Sequence, residues 1–176
     1  MNKPNNRRLR CGPYLHEDLV NTEPSEPNRK PVEQIEHEGQ ALALIVRNEF
    51  SKPGVSFFTP NELSQQLAHM CHPAGKVIPA HVHNPVHRTV AYMQETLFIK
   101  RGRLRVDFYD SDRVYLESRE LGPGDVILLI RGGHGFEVLE DLEMIEVKQG
   151  PYAGENDKTC FEGRPPVIRK VSRTID

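Results

Sequence analysis

A chain of 176 residues has the length of one domain and can bury a core without disulfide or metal staples. Its hydrophobic fraction is 37 %, it has no Trp, and its mean hydropathy of −0.57 is polar for a globular protein, which places part of the chain outside the core. A formal net charge of −2 and a pI of about 6.5 give no reason to expect nucleic acid or an anionic membrane as partner.

Residues 1–36 are rich in Asn, Pro, Arg and Glu, and the piece from Asn21 to Pro31 carries three prolines and almost no apolar side chains. Such a segment buries too little surface to offset its ordering entropy, so it reads as an irregular or disordered N-terminal arm, with an arm swapped onto a neighbouring subunit as the alternative. The basic start, Met1 to Arg10, has no apolar region behind it and is not a secretory signal. No run approaches the ~18 apolar residues needed to span a bilayer. Cys11, Cys71 and Cys160 are scattered and odd in number, without a Cys-x-x-Cys pair. That is no disulfide framework and suits a reducing compartment, so the expectation is a soluble, cytoplasmic protein.

From about Gln40 short apolar or alternating runs follow one another. Strands are predicted at Ala41–Val46, Val55–Phe58, Leu67–His72, Lys76–His83, Val90–Lys100, Arg103–Tyr109, Val114–Leu121, Val126–Ile130, His134–Leu139 and Leu142–Gln149. Turn residues separate them, as in Asp110-Ser-Asp112, Gly122-Pro-Gly-Asp125 and Arg131-Gly-Gly133. Many short strands without a helical period argue for an all-β sandwich or barrel. Pro60-Asn-Glu-Leu63 has the makings of one helical turn, and the chain after Gly150 loses alternation and reads as a surface wrap. The organisation is an arm (1–36), a barrel (37–150) and a C-terminal wrap (151–176).

Alternation assigns faces. On Arg103–Tyr109, Leu104, Val106 and Phe108 face the core, and Arg103, Arg105, Asp107 and Tyr109 face solvent. Phe57, Phe58, Phe98, Phe108 and Phe136 read as core. Val126–Ile130 reads as a strand buried on both faces or at a subunit contact, and Cys71 as a small core residue.

The polar groups that carry chemistry lie at the ends of apolar stripes. His81 and His83 share a face with Val77 and Pro79, Glu95 with Leu97 and Ile99, and His134 with Phe136 and Val138. A carboxylate turned toward a barrel interior is costly unless paired, protonated or bound to a metal. Three imidazoles and one carboxylate meeting there would be stabilised by a divalent transition metal: Fe, Mn, Ni, Co, Zn or Cu, among which the ligand types do not choose.

The chain resembles the cupin superfamily on two motifs. Gly75-x5-His81-x-His83 followed by Glu95-x6-Gly102 is similar to the first cupin signature, and Gly124-Asp125 followed by His134 is similar to the second. The resemblance covers about residues 70–148. It implies a double-stranded β-helix, or jelly-roll barrel, with a metal held at its mouth by His81, His83, Glu95 and His134. Two features depart from the signatures. Eleven residues, 84–94, separate His83 from Glu95 and bring in His87 as a rival ligand, and Val138 stands where the second signature has Asn. The segments 94–110 and 143–150 are similar to small bacterial cupins associated with surface-polysaccharide and sugar modification. The resemblance therefore implies a metal-binding cupin acting on a small polar or sugar-derived molecule, as an isomerase or oxygenase with His87 and Tyr92 as catalytic candidates. The alternative is a non-catalytic ligand-binding or accessory module. Exposed edges of jelly-roll barrels need covering, which favours a homodimer.

Overall fold

The computed structural model describes residues 29–152, 154 and 157–165. Among these the chain is all-β with almost no helix. Eight strands are formed: β1 (Val32–His37), β2 (Gln40–Val46), β3 (Gly54–Phe57), β4 (Ala68–Cys71), β5 (Glu95–Tyr109), β6 (Tyr115–Leu121), β7 (Val126–Leu129) and β8 (Gly133–Lys148). One antiparallel sheet has the order β1-β2-β7-β5-β6, with β8 along the other edge of β5, and β3 and β4 form a separate hairpin.

The organising element is the long β5–β8 ribbon. The first part of β5, Glu95–Phe98, pairs with β7, and the last part, Leu104–Tyr109, pairs with β6, while β8 follows β5 throughout. Register shifts between Ile99 and Leu104 mark the bend. They also switch the buried parity, from Leu97 and Ile99 before the bend to Leu104, Val106 and Phe108 after it. Gly102 sits at the bend with φ +84°, and a Cβ there would lie 2.1 Å from the Asp141 carbonyl oxygen, so only glycine fits. The sheet curls strongly into a half-barrel around Ile35, Ile45, Leu97, Leu104, Phe108 and Ile127.

The predicted strand Val126–Ile130 is buried on both faces. Ile127 and Leu129 join the interior, and Leu128 and Ile130 join a second cluster with Leu44, Val46 and Phe58. The runs 90–100 and 103–109 merge into β5, which starts only at Glu95, and 134–139 and 142–149 merge into β8.

Four expectations are corrected. The arm ends earlier than residue 36: Val32–His37 forms β1, because β2 supplies a partner and Ile35 is buried in the core. Residues 1–28, the rest of that arm, lie outside the described residues. Second, Lys76–His83 is not a strand, and residues 72–94 run between β4 and β5 without strand structure. Pro73, Pro79 and Pro85 remove backbone donors there, and no neighbouring strand supplies a ladder. Third, the face of Arg105, Asp107 and Tyr109 is not wet. These residues are 5 %, 3 % and 3 % exposed. Arg105 grips Asp107 through two 2.9 Å hydrogen bonds and pairs with Glu137 of β8. Part of the C-terminal wrap covers this face: Phe161 packs edge-on against Tyr109, and the Arg164 N–H donates to the Tyr109 hydroxyl. Fourth, Phe108 is core, but Phe57, Phe98 and Phe136 are exposed.

Cys71 is buried, as read, but disulfide-bonded, which removes the thiol argument for a reducing compartment; Cys160 is free and exposed. The Pro60–Leu63 turn closes through a single Leu63 N–H to Pro60 carbonyl bond. No helix among the described residues is long and apolar enough to cross a membrane.

The loop Gly122–Asp125 is fixed from below. Asp125, 2 % exposed, accepts the backbone N–H groups of Asn48 and Gly122 and pairs with Arg47 and Arg29. Arg47 also binds Glu33 of β1 and the Glu120 carbonyl. A buried arginine with every side satisfied ties β1, β2 and β6 to the turn that leads into β7.

Candidate metal centre

Glu95 opens β5 and His134 lies one residue into β8. In the β5–β8 register His134 stands opposite Phe108, 13 residues along β5 from Glu95. A straight strand would separate those positions by about 40 Å. The curl of the ribbon brings the His134 Nε2 to 3.3 Å from a Glu95 carboxylate oxygen. Both side chains are partly buried, Glu95 more than His134.

This carboxylate is held below the usual range. The His134 hydrogen bond is the largest cause; burial opposes it, and electrostatic attraction to His134, Lys148 and Lys158 adds to it. Lys148 stands opposite Glu95 in the strand register and places its Nζ 3.7 Å from the other carboxylate oxygen, while also pairing with Glu146. Glu95 is therefore an ionised oxygen donor at neutral pH, facing an imidazole nitrogen: two of the donor types a divalent transition metal takes.

A polar cluster braces Glu95 from the preceding residue. Gln94 is 4 % exposed; its side-chain oxygen accepts from the Ser64 hydroxyl and the Gln65 N–H, both at 3.0 Å, and its backbone N–H donates to the Gln149 side chain at 2.7 Å. The sequence reading missed Ser64, Gln94, Lys148, Gln149 and Lys158. The alternation that singled out Glu95 carries no information about which residues oppose it across a ladder. Only the β5–β8 register does.

The other two predicted ligands form a second pair. His81 and His83 lie on the irregular 72–94 segment, exposed, with ring centroids 5.2 Å apart and ring planes at 80°. The His81 Nδ1 is 2.9 Å from the Pro79 carbonyl oxygen, which fixes the orientation of that ring. The rings are thus neighbours, as expected, although no strand puts them there. His87 and Tyr92 are exposed on the same segment. Among the described residues no three His, Cys, Asp or Glu side chains converge. The four candidates stand as two pairs, His81–His83 and Glu95–His134.

No protein-family model matches the chain, and no curated protein and no solved structure matches it significantly.

Proposed function

We propose that this chain is a metal-binding barrel protein of the cupin type. It would hold one divalent transition-metal ion with His81, His83, Glu95 and His134 and present it to a small polar or sugar-derived molecule. The observation that carries this reading is the Glu95–His134 pair: an ionised carboxylate and an imidazole nitrogen, 3.3 Å apart, brought together from opposite ends of a curled ribbon. Glu95 needs no proton removed before it binds a cation, and that cation would have to displace Lys148 from the carboxylate.

The histidine pair would complete the set by moving. Residues 84–94 span up to about 3.3–3.6 Å each when extended, ample length for His81 and His83 to reach the mouth. An irregular connection as long as residues 72–94 is uncommon in a compact domain unless it has a function. A metal in this setting supplies Lewis-acid polarisation of a substrate oxygen, the chemistry an isomerase or an oxygenase of this kind would use. Gln94 and its partners would hold Glu95 in place, and Lys148 would balance the carboxylate charge until the cation displaces it.

A second reading is favoured by one observation. Neither His87 nor Tyr92 makes a hydrogen bond or ion pair with Glu95 or His134 among the described residues, so no general base is positioned at the pair. That suits a non-catalytic, ligand-binding accessory module.

Elemental analysis of the purified chain after loading with Fe, Mn, Ni, Co, Zn or Cu tests the proposal. One equivalent is expected in the wild type. His81→Ala, His83→Ala, Glu95→Ala and His134→Ala should each weaken uptake by at least the ~10–100-fold that loss of a supporting contact costs. A wild type that takes up no metal from excess would overturn the reading. Metal uptake without turnover of nucleotide sugars, keto sugars or O2-dependent substrates would select the accessory module.

A further inference from the structure

Beside β2 and the end of β7, where Leu44 and Ile130 cluster with Phe58 and Leu63, lies a pocket of 240 Å³ that neither Glu95 nor His134 lines. Its apolar floor is formed by Leu44 and Ile130, 4 % and 3 % exposed, with Phe58 and Leu63 as a wall contributed by the loop after β3. The β1–β2 turn, with Glu38 and Gly39 both at positive φ, forms the opposite rim. The opposite wall is tied by Thr59, whose hydroxyl donates to Gln66 and accepts from the Leu67 N–H.

One cation stands at its edge. Arg131 follows the buried Ile130, lines the pocket, and donates one hydrogen bond to the Gln40 side-chain oxygen at 3.0 Å. Among the described residues it pairs with no carboxylate, unlike the buried Arg47 and Arg105, and unlike Arg88, Arg101, Arg113 and Arg164, which also form no such pair, it lines the pocket. No carboxylate lines the pocket, and Glu36 of β1 accepts from the Gln34 amide. A planar guanidinium with donors to spare, beside a dry floor, matches a carboxylate on an apolar body.

We infer that this pocket is a binding site for a small monocarboxylate with a compact apolar body, of the size of a single ring or a branched short chain, held by Arg131 and seated on Leu44 and Ile130. It needs neither the metal nor the residues proposed to bind one.

Benzoate is the probe, with benzyl alcohol as its uncharged counterpart, both titrated into the full-length chain and followed by amide chemical shifts. Benzoate is expected to shift the amides of Gly39–Ala41, Phe58–Leu63 and Ile130–Arg131 and to bind at least tenfold more tightly than benzyl alcohol. Arg131→Gln should weaken benzoate by about tenfold, the scale of one charge-assisted contact, and leave benzyl alcohol unchanged. Leu63→Trp, which fills the cavity from its wall, should abolish both. His134→Ala should leave benzoate binding intact, so failure of the metal reading and failure of this one are separable. Circular dichroism checks that each variant is folded. Absence of shifts in the wild type, shifts confined to other residues, or equal affinity for the two probes would each overturn the assignment.

Discussion

Glu95 and His134 are presented by β5 and β8, whose ladder runs the length of the ribbon and whose inner face is packed by Leu97, Leu104, Val106 and Phe108. His81 and His83 are presented by a chain that leaves Val77, Ile78, Val82 and Val86 at 76 %, 57 %, 84 % and 60 % exposure. One half of the candidate centre is therefore preorganised by burial, and the other half has no packing to hold it. The contrast assigns the energetic work of a bound cation. It would not need to gather Glu95 and His134, which the fold already places. It would have to offset the ordering entropy of residues 72–94, and their exposed apolar side chains are the material with which a closed form could recover part of that cost.

Mutational stability measures the contrast most directly. Phe108→Ala is expected to lower unfolding free energy by about 3–5 kcal/mol, because it empties the centre of the interior. Val82→Ala in the metal-free protein should change it by no more than about 0.5 kcal/mol. Urea unfolding measures both, and a Val82 effect above about 2 kcal/mol would show that the segment is packed without metal. Hydrogen exchange gives the next largest signal. In the metal-free chain the amides of residues 76–92 should exchange close to the unstructured rate while those of β5 are protected, and metal loading should raise protection in 76–92 by at least about tenfold. Unchanged exchange alongside tight metal uptake would mean that His81 and His83 bind without the segment closing.

The smallest effect is the pH dependence of the preorganised half. Glu95 is held below its ordinary value of 4.5, first by the His134 hydrogen bond. A carboxyl depressed on folding contributes stability that is present above its unfolded-state value and is lost as pH falls through the lower folded-state value. As pH falls below about 4.5 the metal-free wild type should therefore lose more stability than Glu95→Gln, by about 1 kcal/mol or less for a partly buried pair. Parallel urea titrations of the two proteins check it, and identical slopes would show that the pair contributes nothing.

How much of this was legible follows from what alternation encodes. Period-2 patterning located β2, β6 and β7 and gave the inward side of Glu95, Leu97 and Ile99, since those properties are local. It failed where a partner decides. Val32–His37 is a strand because β2 lies beside it, and Lys76–His83 is not one because no strand pairs with it. Arg105, Asp107 and Tyr109 read as solvated because alternation reports a face but not what covers it: Glu137 pairs with Arg105, Ser118 bonds Asp107, and Phe161 and Arg164, more than fifty residues away, cover Tyr109. Glu95 and His134 were each found from the ends of apolar stripes, yet their meeting depends on the curvature of β5, which is set at Gly102 and in the register shifts around it.

That curvature has a mechanical consequence. Glu95 and His134 sit near the two tips of one bent ribbon, so the gap between carboxylate and imidazole is a gauge of how far the ribbon is flexed. A small opening at Gly102, multiplied along two limbs of strand, becomes a larger displacement at the tips. Whatever stiffens or slackens the bend, including the partners of Asp141 across from Gly102, changes the Glu95–His134 spacing without touching either side chain. The glycine farthest from the chemistry along the strand is thus the point from which the centre can be adjusted.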